Sequence, residues 1–183
     1  MPTFIALLRA VNVGGRTYKM AEMREHLTAS GLTDVETHIQ TGNVRFSTTM
    51  RSPAKVEAHV EQTLESHAGF AVPTILLTPA ELAQAYDDAQ AIEPPSFAEE
   101  GQRRYLTFFK NEDVPAGDAQ ADIEAWDAPG ESARVVGRVV HLWLAHPTHE
   151  AKFHGAFKKA LAPGTARDLR VVTAMAQKWG ART

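Results

Sequence analysis

Apolar and polar positions along this chain follow a pattern that runs once and then starts again. Phe4-Ile5-Ala6-Leu7-Leu8 is a short unbroken apolar run stopped by Arg9, the signature of a strand buried on both faces. Met20, Met23 and Leu27 then fall at i, i+3 and i+7, with Gly31 placed to end the helix they predict. Alternation over residues 35–40 and 43–47, on either side of Thr41-Gly42, predicts a β-hairpin with a tight turn. Ser52-Pro53 supplies an N-cap and a proline at the first helical position, Val56, Val60 and Leu64 form a stripe, and Gly69 closes the helix. Val72 to Leu77 is a fourth strand, placed at a sheet edge by Pro73. Thr78-Pro79-Ala80-Glu81 is a capping box that starts a trailing helix carrying Leu82, Ala85 and Tyr86.

The second half repeats the series. Arg104 to Phe109 reads as a strand, Asp118 as the cap of a short helix ending near Trp126, and residues 133–136 and 138–144 as a hairpin around Gly137. Thr148 is placed to cap a helix bearing Phe153, Phe157 and Leu161, which Pro163-Gly164 ends; a strand over 165–167 and a helix over 168–179 follow. Each half is thus β-α-β-β-α-β plus a trailing helix. The expected fold class is α+β, with two tandem ferredoxin-like subdomains arising by internal duplication. Their expected bounds are residues 1–90 and 104–183, joined by a polar, proline-bearing linker over 91–103.

This topology gathers chemistry at one place. In a split βαβ sheet the first and second strands run one way and the third and fourth the other, so one end collects the loop after strand one, the turn between strands two and three, and the loop entering strand four. In the first half these are Arg9 to Lys19, Gln40 to Asn43, and Gly69-Phe70. The expected ligand-binding rim comprises Arg9, Asn12, Gly14, Gly15, Arg16, Lys19, Gln40, Gly42 and Asn43. Glycine amides, arginine forks and a helix start suit a small anion, phosphorylated ones included. The plainer alternative is that Asn12 and the glycines shape a long loop, Thr17 caps a helix, and Gln40 and Asn43 satisfy hairpin backbone. His38 and Glu22 are general-base candidates by proximity alone, so no reaction is assigned. The matching rim of the second half, with Asn111-Glu112-Asp113, Gly137 and Pro163-Gly164, is acidic and lacks a glycine pair.

The stretch from Leu7 through Arg9-Ala10-Val11-Asn12-Val13-Gly14-Gly15, with Met20 and the run Thr37-His38-Ile39-Gln40-Thr41-Gly42-Asn43-Val44-Arg45-Phe46, resembles the bacterial family catalogued as domain of unknown function 1697. The likeness spans most of the chain and is strongest over residues 5–46. It implies an α+β, ferredoxin-like scaffold and brings no assigned activity, cofactor or partner. Family members often carry an Arg-Asn-Trp-Asn type stretch near the C-terminus. Here those positions read Arg167-Asp168-Leu169-Arg170, so the arginine is kept and the tryptophan is replaced by Leu169.

Composition narrows the function classes. The 183 residues carry a formal net charge of −3, against the cationic surplus that general nucleic-acid binding needs. Cysteine is absent, which removes disulfides, thiolate nucleophiles and thiolate metal sites, and no apolar stretch reaches membrane-span length; a cytoplasmic protein is expected. No P-loop, G-x-S-x-G elbow or H-E-x-x-H motif occurs, and no cofactor is expected. His141, His146, His149 and His154 crowd one region, but His149 and His154 are i and i+5, about 140° apart around a helix, and no metal site is expected. Two other functions stay open: a single-stranded nucleic-acid-binding module using Tyr105, Thr107 and Phe109 beside His141 and Trp143 on one sheet face, and an interaction or oligomerising scaffold without a ligand.

Overall fold

The computed structural model describes residues 1–98 and 103–181. Over these residues the protein is α+β, with two four-stranded antiparallel sheets and seven helices. It divides into two compact units, residues 1–83 together with the stretch from Lys178 onward, and residues 84–177. The division falls inside the third helix and not after residue 90, and the end of the last helix belongs to the first unit. Of the expected linker, residues 99–102 lie outside the described residues; 92–98 form neither helix nor strand.

The first unit contains β1 (Thr3–Leu8), α1 (Met20–Ala29), β2 (Thr33–His38), β3 (Asn43–Ser47), α2 (Pro53–Ala68), β4 (Thr74–Leu77) and the start of α3 (Pro79–Ala91). Its sheet order is β2-β3-β1-β4. Phe4, Ala6, Leu8, Val44, Phe46 and Leu76 from one sheet face form a core with Met23 and Leu27 of α1 and Val56, Val60 and Leu64 of α2. Ile5, Leu7, Ile75 and Leu77 on the opposite face are buried too, which is why β1 reads as a continuous apolar run and not as an alternation. The caps of α2 form as expected: Ser52 Oγ accepts the Lys55 N–H at 3.4 Å, Pro53 opens the helix, and Gly69 closes it at φ 73°. At α3 the capping box is complete, with Glu81 accepting the Thr78 N–H at 2.7 Å and Thr78 Oγ1 accepting the Glu81 N–H at 3.1 Å. Thr17 does not cap α1; Lys19 holds the N-cap position, and its side chain makes no capping bond to a helix N–H.

Residues near the C-terminus complete this unit. Trp179 Nε1 donates to Glu36 Oε2 at 3.2 Å and Lys178 Nζ reaches the same oxygen at 2.9 Å, while Arg45 holds Oε1 at 3.2 Å. Lys178 first, then Trp179, hold the Glu36 carboxyl below its ordinary pKa. Edge strand β2 is thereby tied to residues more than a hundred positions away in sequence.

The second unit contains β5 (Arg103–Phe108), α4 (Asp118–Glu124), β6 (Glu131–Val136), β7 (Val139–Leu144), α5 (Phe153–Ala156), α6 (Lys158–Leu161), β8 (Thr165–Asp168) and most of α7 (Leu169–Trp179), in sheet order β6-β7-β5-β8. Two helix expectations change. Gly117, at φ 59°, occupies the N-cap of α4, and Asp118 is the first helical residue. The single helix expected from Thr148 is a 3-10 turn followed by two separate short helices. Thr148 Oγ1 donates to Tyr105 Oη at 3.0 Å instead of capping, and the Lys152 and Phe153 N–H groups donate to Glu131, each at 2.8 Å. That carboxylate is buried and also takes the Trp126 indole N–H at 3.0 Å and His146 Nε2 at 3.2 Å. Burial pushes its pKa up, but these donors outweigh it and leave the group below the ordinary carboxyl value.

The strand register corrects the aromatic face. Arg104 pairs with Trp143, Leu106 with His141 and Phe108 with Val139. Residues directly opposite in an antiparallel pair share a face. His141 and Trp143 therefore lie with Arg104, Leu106 and Phe108, whereas Tyr105 and Phe109 belong to the core on the other face with Val140, Leu142 and Phe153. His141 and Trp143 are buried. Tyr105 and Phe109 cannot join them in one aromatic surface.

Candidate functional site

The rim of the first unit assembles at the sheet end where β1 and β2 finish and β3 and β4 begin. Leu7 pairs with Asn43, Leu8 with Thr74 and His38 with Asn43. Backbone bonds continue the convergence past the strands, from Leu8 N–H to the Gly42 carbonyl at 2.8 Å and from Arg9 N–H to the Pro73 carbonyl at 2.9 Å.

The loop between β1 and α1 is pinned at both ends and exposed in the middle. Val11 and Tyr18 are buried in the core, and residues 13–17 are solvent-exposed. Asn12 fastens the crossing: its Oδ1 accepts the Tyr18 N–H at 2.7 Å, and its Nδ2 donates to the carbonyls of Tyr18 at 3.2 Å and Gln40 at 2.9 Å. Tyr18 Oη lies 2.6 Å from His26 Nδ1, and burial first, then the Glu22 carboxylate, raise the phenol's pKa, keeping it protonated. Four residues of this loop, Ala10, Asn12, Gly14 and Gly15, have φ between 57° and 82°. Such backbone suits glycine and, less often, asparagine.

These contacts sort the nine expected residues. Asn12 and Asn43 are framework groups; Asn43 is fully buried and its Nδ2 donates to the His38 carbonyl at 3.1 Å and Thr41 Oγ1 at 3.0 Å. Gly42 is framework as well, because a side chain there would meet Leu8 Cβ at 2.8 Å. Gln40 contributes its carbonyl to Asn12 and leaves its side chain exposed. Lys19 pairs with Glu22 at 3.1 Å on open surface. A β-carbon added at Gly14 or Gly15 would meet nothing within 4 Å, and among the described residues their N–H groups meet no acceptor. Arg9 is half-buried and Arg16 exposed, and neither has a carboxylate partner among the described residues. Arg16 lies over the Phe70 ring at 5.0 Å, a cation–π contact beside the loop.

Three features of this rim go beyond what the sequence predicts. Phe70 is the shelf for Arg16. Val13 and Ile39 are exposed, and Ile39 adopts φ 51° beyond the end of β2, where the alternating pattern predicts strand. The only sequence signal for Val13 is an apolar residue between Asn12 and Gly14. The general-base candidates are otherwise engaged: the His38 ring stands edge-on to Trp179 at 6.0 Å, and Glu22 holds Lys19.

Other polar concentrations are of a different kind. His26 and His67 stack at 3.8 Å beside His59 in a groove of about 400 Å³ between α1 and α2, with Ser30 and Thr63 occupying ring nitrogens of His59 and His67. Among the described residues no three His, Asp or Glu side chains come together as metal ligands. No helix of the described chain is long and apolar enough to cross a membrane.

Two antiparallel four-stranded sheets, each with its helices, and a pinned glycine loop at one sheet end define the class as an α+β protein of two similar sheet-containing units. The chain belongs to the family described as protein of unknown function DUF1697, whose model matches residues 1–141. Among solved structures it is similar to a conserved bacterial protein from Streptococcus pneumoniae, at 22% identity and a TM-score of 0.72 over 98% of both chains, a likeness of fold. No curated protein matches it.

Proposed function

We propose that the first unit binds a small anion, phosphorylated ones included, at the Arg9 to Lys19 loop. The observation that carries this reading is the loop itself: two adjacent exposed glycine amides without acceptors, flanked by two arginines without carboxylate partners among the described residues. Backbone donors in left-handed conformation form an anion-accepting concavity, and charge-assisted bonds from guanidinium are the stronger kind. Arg9 and Arg16 supply charge, Gly14 and Gly15 supply donors, Lys19 adds an exchangeable cation, and Gln40 is available at the margin. Asn12, Gly42 and Asn43 act as positioning residues that hold the two loops in register. No group stands out as a nucleophile or base, so the reading is recognition and assigns no reaction.

The same reading takes both units as ferredoxin-like subdomains that arose by duplication, for which the equivalent strand orders are the support, and places the protein in the cytoplasm. In the second unit β5 leads into a 3-10 turn over Asn111–Asp113, an acidic connection, so one anion site per chain is expected. The test is a titration of inorganic phosphate into the isotopically labelled protein. Saturable shifts of the Gly14 and Gly15 amide resonances are expected, and Arg9→Glu with Arg16→Glu should abolish them. Shifts that persist in the double variant, or none in the parent protein, would sink the proposal.

A further inference from the structure

Three large apolar side chains of the described protein stand out in solvent; of these Val13, at 56% exposure, lies within the anion loop, and Ile39, at 46%, lies beside Gln40, whose carbonyl is bonded to that loop. They come from different connections. The Asn12 to Gln40 bond of 2.9 Å joins those connections one residue away from each, so the framework that shapes the loop also fixes where Val13 and Ile39 emerge. Ile39 carries a second disadvantage, because its φ of 51° is backbone that a β-branched residue rarely adopts. Asparagine or glycine would relieve that backbone, and any polar residue would remove the apolar exposure. An isoleucine there is unfavourable for the free protein on both grounds, a cost that an apolar group covering it would offset.

Resting on the anion-binding reading above, we infer that the ligand is an organic phosphate monoester whose carbon skeleton is apolar, with the phosphate on the Gly14 and Gly15 amides, Arg9 and Arg16, and the skeleton against Val13 and Ile39. The charge of the arginines excludes a neutral apolar ligand, since burying an unpaired guanidinium is costly. The exposed apolar pair in turn gives a ligand with carbon an advantage that inorganic phosphate lacks. Covering two partly exposed aliphatic side chains corresponds to about a tenfold gain in affinity.

Phenyl phosphate and inorganic phosphate are the probes, each titrated by calorimetry into the parent protein, Ile39→Asn and Val13→Ser. Phenyl phosphate is expected to bind about tenfold more tightly than inorganic phosphate, and each variant should shrink that ratio toward one. Asparagine tolerates left-handed backbone, so Ile39→Asn is expected to melt no lower than the parent. Equal affinity of the two probes, a ratio unchanged by both variants, or a clear fall in the melting temperature of Ile39→Asn would overturn the inference while leaving phosphate binding intact. Failure of both probes to bind would overturn the anion-binding reading and this inference with it.

Discussion

Replacing Gly42 with alanine tests whether the rim is held by a close approach or only by turn conformation. Gly42 lies at φ 79°, and its carbonyl accepts the Leu8 N–H at 2.8 Å. A β-carbon there would stand 2.8 Å from Leu8 Cβ, 3.5 Å from Cγ and 3.6 Å from Cδ1. Leu8 is 1% exposed, and its Cβ is fixed by the β1 backbone, so the neighbour cannot swing aside. Left-handed alanine costs about 1–2 kcal/mol. Forcing a methyl into a packed site costs about 1–3 kcal/mol more. Gly15 provides the control: at φ 82° it has the same backbone requirement and open space around it, so Gly15→Ala should lose only the first amount. Urea denaturation should therefore place Gly42→Ala about 1–3 kcal/mol below Gly15→Ala. Hydrogen exchange at β1 and β3 amides should localise the difference to the rim end of the first unit. If the two variants unfold within about 0.5 kcal/mol of one another, Gly42 is a conformational glycine only, and the close packing of turn on strand is not what fixes the site.

Two further outcomes follow from buried ionisable groups of the second unit. Burial, and secondarily the nearby Arg104 charge, push His141 down to about 4 from an ordinary 6.5, and both ring nitrogens lack partners among the described residues. Its folded value is depressed, so the stability is full above pH 6.5 and is lost as pH falls toward 4, by at most about 3 kcal/mol over that window; His141→Leu should flatten the slope in denaturation at stepped pH, and an unchanged slope would mean that the imidazole charges without penalty. Glu131→Gln leaves the α5 amides without a full carboxylate and should cost about 2 kcal/mol at neutral pH. The Glu131 folded pKa is also depressed, so its stabilisation is present above the ordinary carboxyl value and lost as pH falls below it; a variant that loses as much stability at pH 3 as at pH 7 would contradict that role.

Sequence carries the elements whose signals are local. Ser52-Pro53 with Gly69 bounds α2, and Thr78 with Glu81 starts α3, because caps are contacts between residues three or four apart. The convergence of the Arg9 and Gln40 loops is also legible, since it needs only strand directions. What stays hidden depends on distant partners. The helix expected from Thr148 breaks because Glu131, about twenty residues upstream, captures the Lys152 and Phe153 amides that such a helix would bond to the Thr148 and His149 carbonyls. The aromatic face of β5 and β7 reads to the wrong side because pairing Leu106 with His141, and not Thr107 with His141, exchanges every facing side chain. At the site, Asn12 suits a ligand or the backbone equally well in sequence, and only the positions of Tyr18 and Gln40 decide for the backbone.

The bonds from Lys178 and Trp179 to Glu36 make the first unit discontinuous in sequence, with the second unit inserted between its two parts. Synthesis from the N-terminus delivers the rim loop, both rim turns and α2 long before Lys178 and Trp179 exist to hold Glu36. An expressed fragment ending in the 92–98 segment would keep every anion-site residue yet leave Glu36 with Arg45 alone and His38 without the Trp179 ring. Dividing this protein into two expressible pieces therefore calls for fusing the last helical turn back onto the N-terminal piece, as in a domain-insertion design, and not for a single cut between two beads on a string.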